Sequence, residues 1–131
     1  MKIFLDDQLN EPDMPIRQVP PGWVGVKNFS EFKKVFEEAL VRREKIEGLD
    51  FDNDLGPGEK EGWEIAKWLT EEHPEIFEGI GELKAHSQNR ADSGGKERIE
   101  SLFEHGRDHW RELIEAKSRP DPWAEFKIDN S

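Results

Sequence analysis

The chain has 131 residues and no cysteine, which fits one domain of ordinary size and excludes disulfides, a thiolate nucleophile and a cysteine zinc site. Its 30 acidic residues outnumber 19 Lys and Arg, and the net charge of -11 argues against a protein that coats duplex nucleic acid. No apolar run approaches the roughly 20 residues of a membrane helix, and the run after Met1 is too short for a signal peptide. We therefore expect a cytoplasmic protein with no membrane partner.

The first elements in chain order are a strand, a long loop and a second strand. Ile3-Phe4-Leu5 predicts a short buried strand that ends at the acidic pair Asp6 and Asp7. The segment from Gln8 to Trp23 contains four prolines, which fix φ and remove backbone donors, so it predicts a loop. Trp23-Val24-Gly25-Val26 then predicts a weak second strand.

A helix and a third strand follow. Asn28 or Ser30 can cap a helix whose apolar residues recur at three- and four-residue steps as far as Leu40. The segment from Ile46 to Phe51 predicts the third strand. It leads into Asp52-Asn53-Asp54-Leu55-Gly56, which its composition marks as a loop.

The rest of the chain predicts two more helices, a fourth strand and a tail. One helix runs from about Gly62 to His73, a strand from Ile80 to Ala85, and a last helix from about Lys96 to Ala116. Strands that alternate with helices predict an α/β fold, an open parallel sheet of about four strands with helices on both faces. We expect residues 1–117 to form this domain and residues 118–131 to form a C-terminal tail that packs by its aromatic side chains.

Three polar clusters follow strands one, three and four. They are Asp6-Asp7, Asp52-Asn53-Asp54 and His86-Ser87-Gln88-Asn89. Ligands of open parallel sheets bind outside the carboxyl ends of the strands, so we expect these clusters to meet in one crevice. Crowded carboxylates are relieved by a raised pKa or by a bound hard cation, and oxygen ligands favour Mg²⁺ or Mn²⁺. The predicted metal ligands are Asp6, Asp7, Asp52 and Asp54.

The catalytic candidates belong to the same clusters. A neutral His86 could act as a general acid or base near pH 7, and Ser87 and Asn89 could donate hydrogen bonds to a phosphoryl oxygen. With Asp52 they complete the predicted catalytic set. Four basic residues are candidates to hold a phosphate, with an ordinary surface charge as the alternative for each: Arg17, Arg90, Lys96 and Arg98. The remaining histidines, His73, His105 and His109, are interpreted as surface residues.

Each cluster also has a simpler interpretation. Asp6 and Asp7 could be a polar strand end, and Asp52-Asn53-Asp54 could be a turn, since Asp and Asn favour turns. His86 alone is more often a structural residue than a catalyst. A calcium loop that starts at Asp52 would need an acidic residue at its twelfth position, where this chain has Trp63.

Four motifs together resemble one known family. They are Phe4-Leu5-Asp6-Asp7, Pro21-Gly22-Trp23, Asp52-Asn53-Asp54-Leu55-Gly56 with Gly62 after it, and His86-Ser87-Gln88-Asn89. In order and spacing the chain is similar, over roughly residues 3 to 104, to the cyclic-phosphate-processing receiver domains, compact relatives of response-regulator receivers. The family has a basic residue soon after the acidic pair, where this chain has Gln8-Leu9, and a proline where it has Arg90.

The resemblance implies a compact receiver-like (flavodoxin-like) sheet with an acidic metal pocket and action on cyclic phosphate ends of RNA. By position, Asp52 matches the carboxylate that ordinary receivers phosphorylate, and Ser87 falls where receivers place a hydroxyl. The leading hypothesis is a metal-dependent phosphoester hydrolase or cyclic-phosphate-processing enzyme, whose partner is a phosphate-containing small molecule or an RNA end. The alternatives are a receiver-like signalling or protein-interaction module, and an acidic inhibitor that mimics nucleic acid.

Overall fold

The computed structural model describes residues 1–87 and 94–118. Four strands are present in these ranges: β1 (Lys2–Leu5), β2 (Trp23–Val26), β3 (Gly48–Asp52) and β4 (Glu82–His86). Three α-helices accompany them: α1 (Phe29–Val41), α2 (Gly62–Glu72) and α3 (Gly95–Ser118). The strands pair in parallel in the order β2-β1-β3-β4. The predicted receiver-like α/β fold is confirmed.

One face of the sheet carries the hydrophobic core. Alternate residues of the two central strands point to it and are fully buried: Ile3, Leu5, Leu49 and Phe51. The ring of Phe51 meets Phe32 of α1 and Phe103 of α3, each with ring centroids 5.2 Å apart. Because α1 and α3 touch the same side chain, they lie on the same face, and α2 adds its apolar residues to the same cluster.

The opposite face differs from the prediction of helices on both sides. Gly25 points to this face, and a Cβ built on it would lie 2.9 Å from Val19 and 3.1 Å from Leu9. Within the two described ranges, the cover over β1 and β2 is therefore the loop between these strands. The reason is local, because the proline-rich segment that leaves β1 cannot form the helix that would otherwise cover this face.

Strands β3 and β4 begin and end later than predicted. Ile46 and Ile80 are buried but precede their strands. Burial of an isoleucine does not require a strand, so an apolar run alone misplaces the boundary. The strands end at Asp52 and His86, which are paired in the β3–β4 register. The two candidate residues consequently lie on paired strand ends and not in loops.

The start of α2 is fastened to the end of β3. The backbone N–H of Gly62 donates to the Asn53 carbonyl at 2.8 Å, and that of Trp63 donates to Asn53 Oδ1 at 3.1 Å. Glu61 and Glu64 complete the cap by accepting from each other's backbone N–H groups. A Cβ on Gly62 would lie only 2.2 Å from the Asp52 carbonyl oxygen, so a glycine is needed here.

The other predicted elements are close to those observed. Asn28 caps α1 by accepting a hydrogen bond from the Glu31 backbone N–H at 2.9 Å, and α3 is slightly longer than predicted. Across the described parts of the chain, no helix combines the length and the apolarity that a membrane crossing requires. The predicted tail lies outside the described residues apart from Ser118, which ends α3.

Candidate functional site

Asp6 lies at the centre of the site. It directly follows β1, its backbone N–H donates to the Val26 carbonyl at 2.9 Å, and its side chain is fully buried. Asp6 Oδ1 accepts a hydrogen bond from the Gln8 backbone N–H at 2.8 Å, which orients the carboxylate. The short strand thus delivers a buried carboxylate to the carboxyl edge of the sheet.

Three strand ends bring three titratable side chains together. Asp6 follows β1, Asp52 ends β3 and His86 ends β4. One ligand atom from each lies within 4.8 Å of the others, and this group could hold a metal ion. The parallel order of the strands is the cause, because it aligns their carboxyl ends at one edge.

His86 is held between two carboxylates. Its Nδ1 lies 2.7 Å from Asp50 Oδ1, and its Nε2 lies 2.9 Å from Asp6 Oδ2. The ring stacks on Phe4 with centroids 4.8 Å apart. A side chain with a hydrogen bond on each ring nitrogen and an aromatic ring against its face has a single orientation.

Asp50 is a site residue that the sequence analysis missed. It lies two residues before Asp52 on β3, so both side chains point to the same face of the sheet. The available signal was a charged residue between Leu49 and Phe51, two apolar residues of a predicted strand. Such a residue is costly to bury unless it has a partner, and His86 is that partner.

Arg17 is buried and not on the surface. Its Nη1 lies 2.6 Å from Asp6 Oδ1, 3.4 Å from Asp52 Oδ2 and 3.7 Å from Asp7 Oδ1. It comes from a 3₁₀ turn, Pro15–Arg17, in the loop between β1 and β2. This turn brings a basic side chain to the acidic pair from a position ten residues beyond Asp7.

The two buried aspartates differ in their pKa values. Burial would raise the pKa of Asp6, but hydrogen bonds from His86 and from the Gln8 backbone N–H, with the charge of Arg17, hold it below its ordinary value. Burial and then the charge of Asp6 raise the pKa of Asp52 to about 7, although His86 and Arg17 oppose this rise. The cluster therefore contains one firmly ionised carboxylate and one that is half-protonated near neutral pH.

His86 is shifted in the opposite sense to the neutral form that the sequence suggested. Burial would lower the pKa of His86, but the hydrogen bonds with Asp50 and Asp6 outweigh it and raise the pKa to about 9. At neutral pH the ring is therefore protonated. It can give up a proton, and it is not free to ligate a metal in this state.

Asp7 and Asp54 lie at the edge of the cluster. Burial, followed by the charge of Asp6, raises the pKa of Asp7, and the charge of Asp54 acts in the same direction. Asp54 is exposed, and its Oδ1 accepts from the Gly56 backbone N–H at 3.0 Å, as in a turn. Of the four predicted metal ligands, Asp6 and Asp52 are therefore buried together, Asp7 is beside them, and Asp54 lies on the outer loop.

The other candidates are Ser87, Asn89, Arg90, Lys96 and Arg98. Ser87 follows β4 and is half-buried, whereas Asn89 and Arg90 lie outside the described residues. Lys96 and Arg98 are exposed on α3, where Arg98 lies over the Trp63 ring at 5.2 Å.

Among the remaining histidines, His73 departs from the surface interpretation. It is half-buried, and its ring contacts Phe36 and Trp68 with centroids 5.0 and 4.9 Å away. His105 and His109 are exposed on α3, as expected.

The donor set fits a hard divalent cation. Carboxylate oxygens of Asp6, Asp7 and Asp52 surround one positively charged atom, Nη1 of Arg17, so they already converge on a cationic centre. Mg²⁺ and Mn²⁺ prefer such oxygen ligands. Arg17 Nε is buried and has no hydrogen-bond partner within the described residues, so the present arrangement leaves one donor unsatisfied.

Comparison with models of known protein families finds a match. A family model described as the cyclic-phosphate processing receiver domain matches residues 1–105, which include all the site residues named above. No curated protein and no solved structure matches the chain significantly.

Proposed function

Because the chain belongs to the cyclic-phosphate processing receiver domain family, we propose that it is a metal-dependent phosphoesterase that opens a cyclic phosphate on a nucleotide or an RNA end. The observation that carries this proposal is the buried group of Asp6, Asp52 and a doubly hydrogen-bonded His86 at the ends of three strands. Strongly perturbed pKa values in one cluster at the ligand-binding edge of a parallel sheet are typical of functional sites.

The chain's own charges support the need for a cation. Four carboxylates face two positively charged side chains in the cluster: Asp6, Asp7, Asp50 and Asp52 against Arg17 and His86. An anionic phosphate would be repelled from this excess of negative charge. Asp6, Asp7 and Asp52, with Asp54 nearby, would hold Mg²⁺ or Mn²⁺, which would neutralise this charge and polarise the phosphoryl oxygens.

His86 is the proposed proton donor. Hydrolysis of a cyclic phosphate forms one P–O bond to water and breaks the P–O bond to one ribose oxygen. The protonated His86 ring gives its Nε2 proton, which it otherwise shares with Asp6 Oδ2, to that leaving oxygen, while the proton of the attacking water goes to solvent. Asp50 accepts a hydrogen bond from Nδ1 and holds the ring so that Nε2 faces the acidic cluster. Ser87 and Asn89, which follow β4, are the proposed donors to the phosphoryl oxygens.

Turnover of a 2′,3′-cyclic nucleotide with Mg²⁺ or Mn²⁺ tests the proposal. We expect His86→Gln to keep the fold and most of the metal binding, because the ring is not a proposed ligand. Its turnover should fall by about 10²–10⁴-fold, the usual contribution of a positioned proton donor. Asp52→Asn should weaken metal binding strongly in a calorimetric titration. His105→Gln, at an exposed position on α3, is the matched control and should keep full activity.

Two outcomes would contradict the proposal that the protein is an enzyme. A wild-type protein with no turnover on cyclic phosphates in the presence of metal would favour a binding module. A stable phosphate on Asp52 after treatment with a phosphoryl donor would favour the signalling alternative. If His86→Gln lowers the melting temperature but leaves turnover intact, His86 has only a structural role.

A further inference from the structure

The position that suits a cation in the acidic cluster is held by the chain itself. Arg17 Nη1 contacts one oxygen each of Asp6, Asp52 and Asp7, at 2.6, 3.4 and 3.7 Å. Asp6 Oδ1 also accepts the Gln8 backbone N–H, and Asp6 Oδ2 accepts from His86. A carboxylate oxygen has about two lone-pair sites, so both sites of Asp6 Oδ1 are in use.

A metal ion placed between Asp6 Oδ1 and Asp52 Oδ2 would therefore need the same oxygen atoms as the guanidinium. A divalent ion that bound Asp6 Oδ1 and Asp52 Oδ2 would also lie next to the guanidinium charge, and like charges at such short range repel strongly in a buried site. Simultaneous occupancy is disfavoured both by the count of lone pairs and by electrostatics.

The surroundings of Arg17 would allow it to leave. Its chain neighbours Ile16 and Gln18 are exposed, so Arg17 is the one buried residue of the Pro15–Arg17 turn. The buried Nε without a partner means that the present position is not fully satisfied. Withdrawal of this side chain would break ion pairs without removing any residue from the hydrophobic core.

We propose that Arg17 is the resident cation of the acidic cluster, and that a divalent metal binds by displacing its guanidinium from Asp6 and Asp52. This inference rests on the metal site of the proposed function. It adds that Arg17, in the loop between β1 and β2, competes with the metal for the carboxylates. Metal binding would therefore release the loop, and the docked loop would weaken metal binding.

Metal affinity tests the competition without any assay of activity. We expect Arg17→Gln to bind Mn²⁺ at least about tenfold more tightly than wild type by calorimetry, because both the competing donor and the like charge are gone. Arg42→Gln removes the same charge at an exposed site on the protein's surface, where solvent and salt screen it, and should change the affinity by less than about twofold. Circular dichroism melts establish that each variant is folded.

Hydrogen exchange on the wild-type protein tests whether metal displaces the Arg17 side chain. It thereby separates displacement from the effect of removing the Arg17 charge by mutation. The amides of Asn10, Arg17 and Gln18 donate to carbonyls within the loop, and the first of them donates to Arg17 itself. We expect Mn²⁺ alone to speed their exchange, because the anchoring ion pairs are broken, while α1 amides are unchanged. This measurement needs no variant and so stands even where Arg17→Gln fails to fold.

Equal metal affinity in wild type and Arg17→Gln, or unchanged or slower loop exchange with Mn²⁺, would overturn the displacement but leave the metal-dependent enzyme intact. Absence of metal binding in wild type and variant alike would overturn both this inference and the metal requirement. Turnover of a cyclic phosphate without metal would contradict the proposed function alone.

Discussion

At the scale of single residues, Asp52 and His86 bind protons more tightly in the folded chain than in the unfolded one. The pKa of Asp52 rises from 3.8 to about 7, and that of His86 from 6.5 to about 9. A raised pKa contributes stability that is complete below the unfolded value and is lost as pH rises through the folded value. The Asp52 contribution is therefore lost between pH 3.8 and about 7, and the His86 contribution between pH 6.5 and about 9.

We expect the metal-free protein to lose stability as pH rises across these two windows. Urea unfolding at about pH 5, 7 and 9 measures this loss. Asp52→Asn should remove the loss of stability in the lower pH range, since its amide does not titrate. His86→Gln should remove the loss in the upper range. Asp108→Asn, at an exposed position on α3, is the control and should keep the wild-type profile. Stability that rises between about pH 5 and 7 in wild type would show that the Asp52 carboxylate is stabilised and not crowded.

At the scale of elements, the junction of β3 with α2 joins the site to the scaffold. Gly62 begins α2 and lies against the backbone of Asp52 and Asn53, where a Cβ would come within 2.2 Å of the Asp52 carbonyl oxygen. Backbone cannot move aside as a flexible side chain can. A change at Gly62 should therefore disturb both the helix start and the candidate ligand.

Gly62→Ala should lower the free energy of unfolding by about 1–3 kcal/mol, the usual cost of overpacking. It should also weaken metal binding, because the end of β3 is pushed from its place. The control is Gly81→Ala, whose Cβ would meet only the Glu47 carbonyl at 3.6 Å, an ordinary contact. If the two variants were equally stable and bound metal alike, the close approach at Gly62 would have no energetic consequence.

At the scale of the whole molecule, the net charge of -11 opposes the approach of an anionic substrate. Long-range repulsion is weakened by salt, since the Debye length falls from about 30 Å at 0.01 M to about 8 Å at 0.15 M. With saturating metal, we expect the KM for an RNA end to fall as salt rises through this range. The KM of a cyclic mononucleotide, which carries one charge, should change much less.

Steady-state kinetics with the two substrates side by side makes this comparison. The mononucleotide is the internal control for effects of salt on the metal or on the catalytic residues. A KM for RNA that rises with salt would indicate a local positive groove that outweighs the net charge, and would contradict a repulsive field at the site.

The sequence by itself determined the parallel α/β fold, the order of its elements and the edge at which Asp6, Asp52 and His86 lie close together. Hydrophobic periodicity, caps and prolines act over a few residues, so they can be interpreted without knowledge of contacts. The rule that carboxyl ends of parallel strands share one edge then converts element order into proximity. The metal-binding and catalytic roles of these residues stay proposals.

Only the tertiary structure decided the roles of Asp50 and Arg17 and the cover over the second face. Asp50 meets His86 across 36 residues, and Arg17 reaches Asp52 across 35. Neither contact can be predicted from the local sequence pattern, because the contacts depend on strand register and on the path of the loop between β1 and β2. The pKa of His86 depends in the same way on two distant carboxylates, Asp50 on β3 and Asp6 directly after β1. This is why the sequence suggested a neutral ring, whereas the folded chain holds a protonated one.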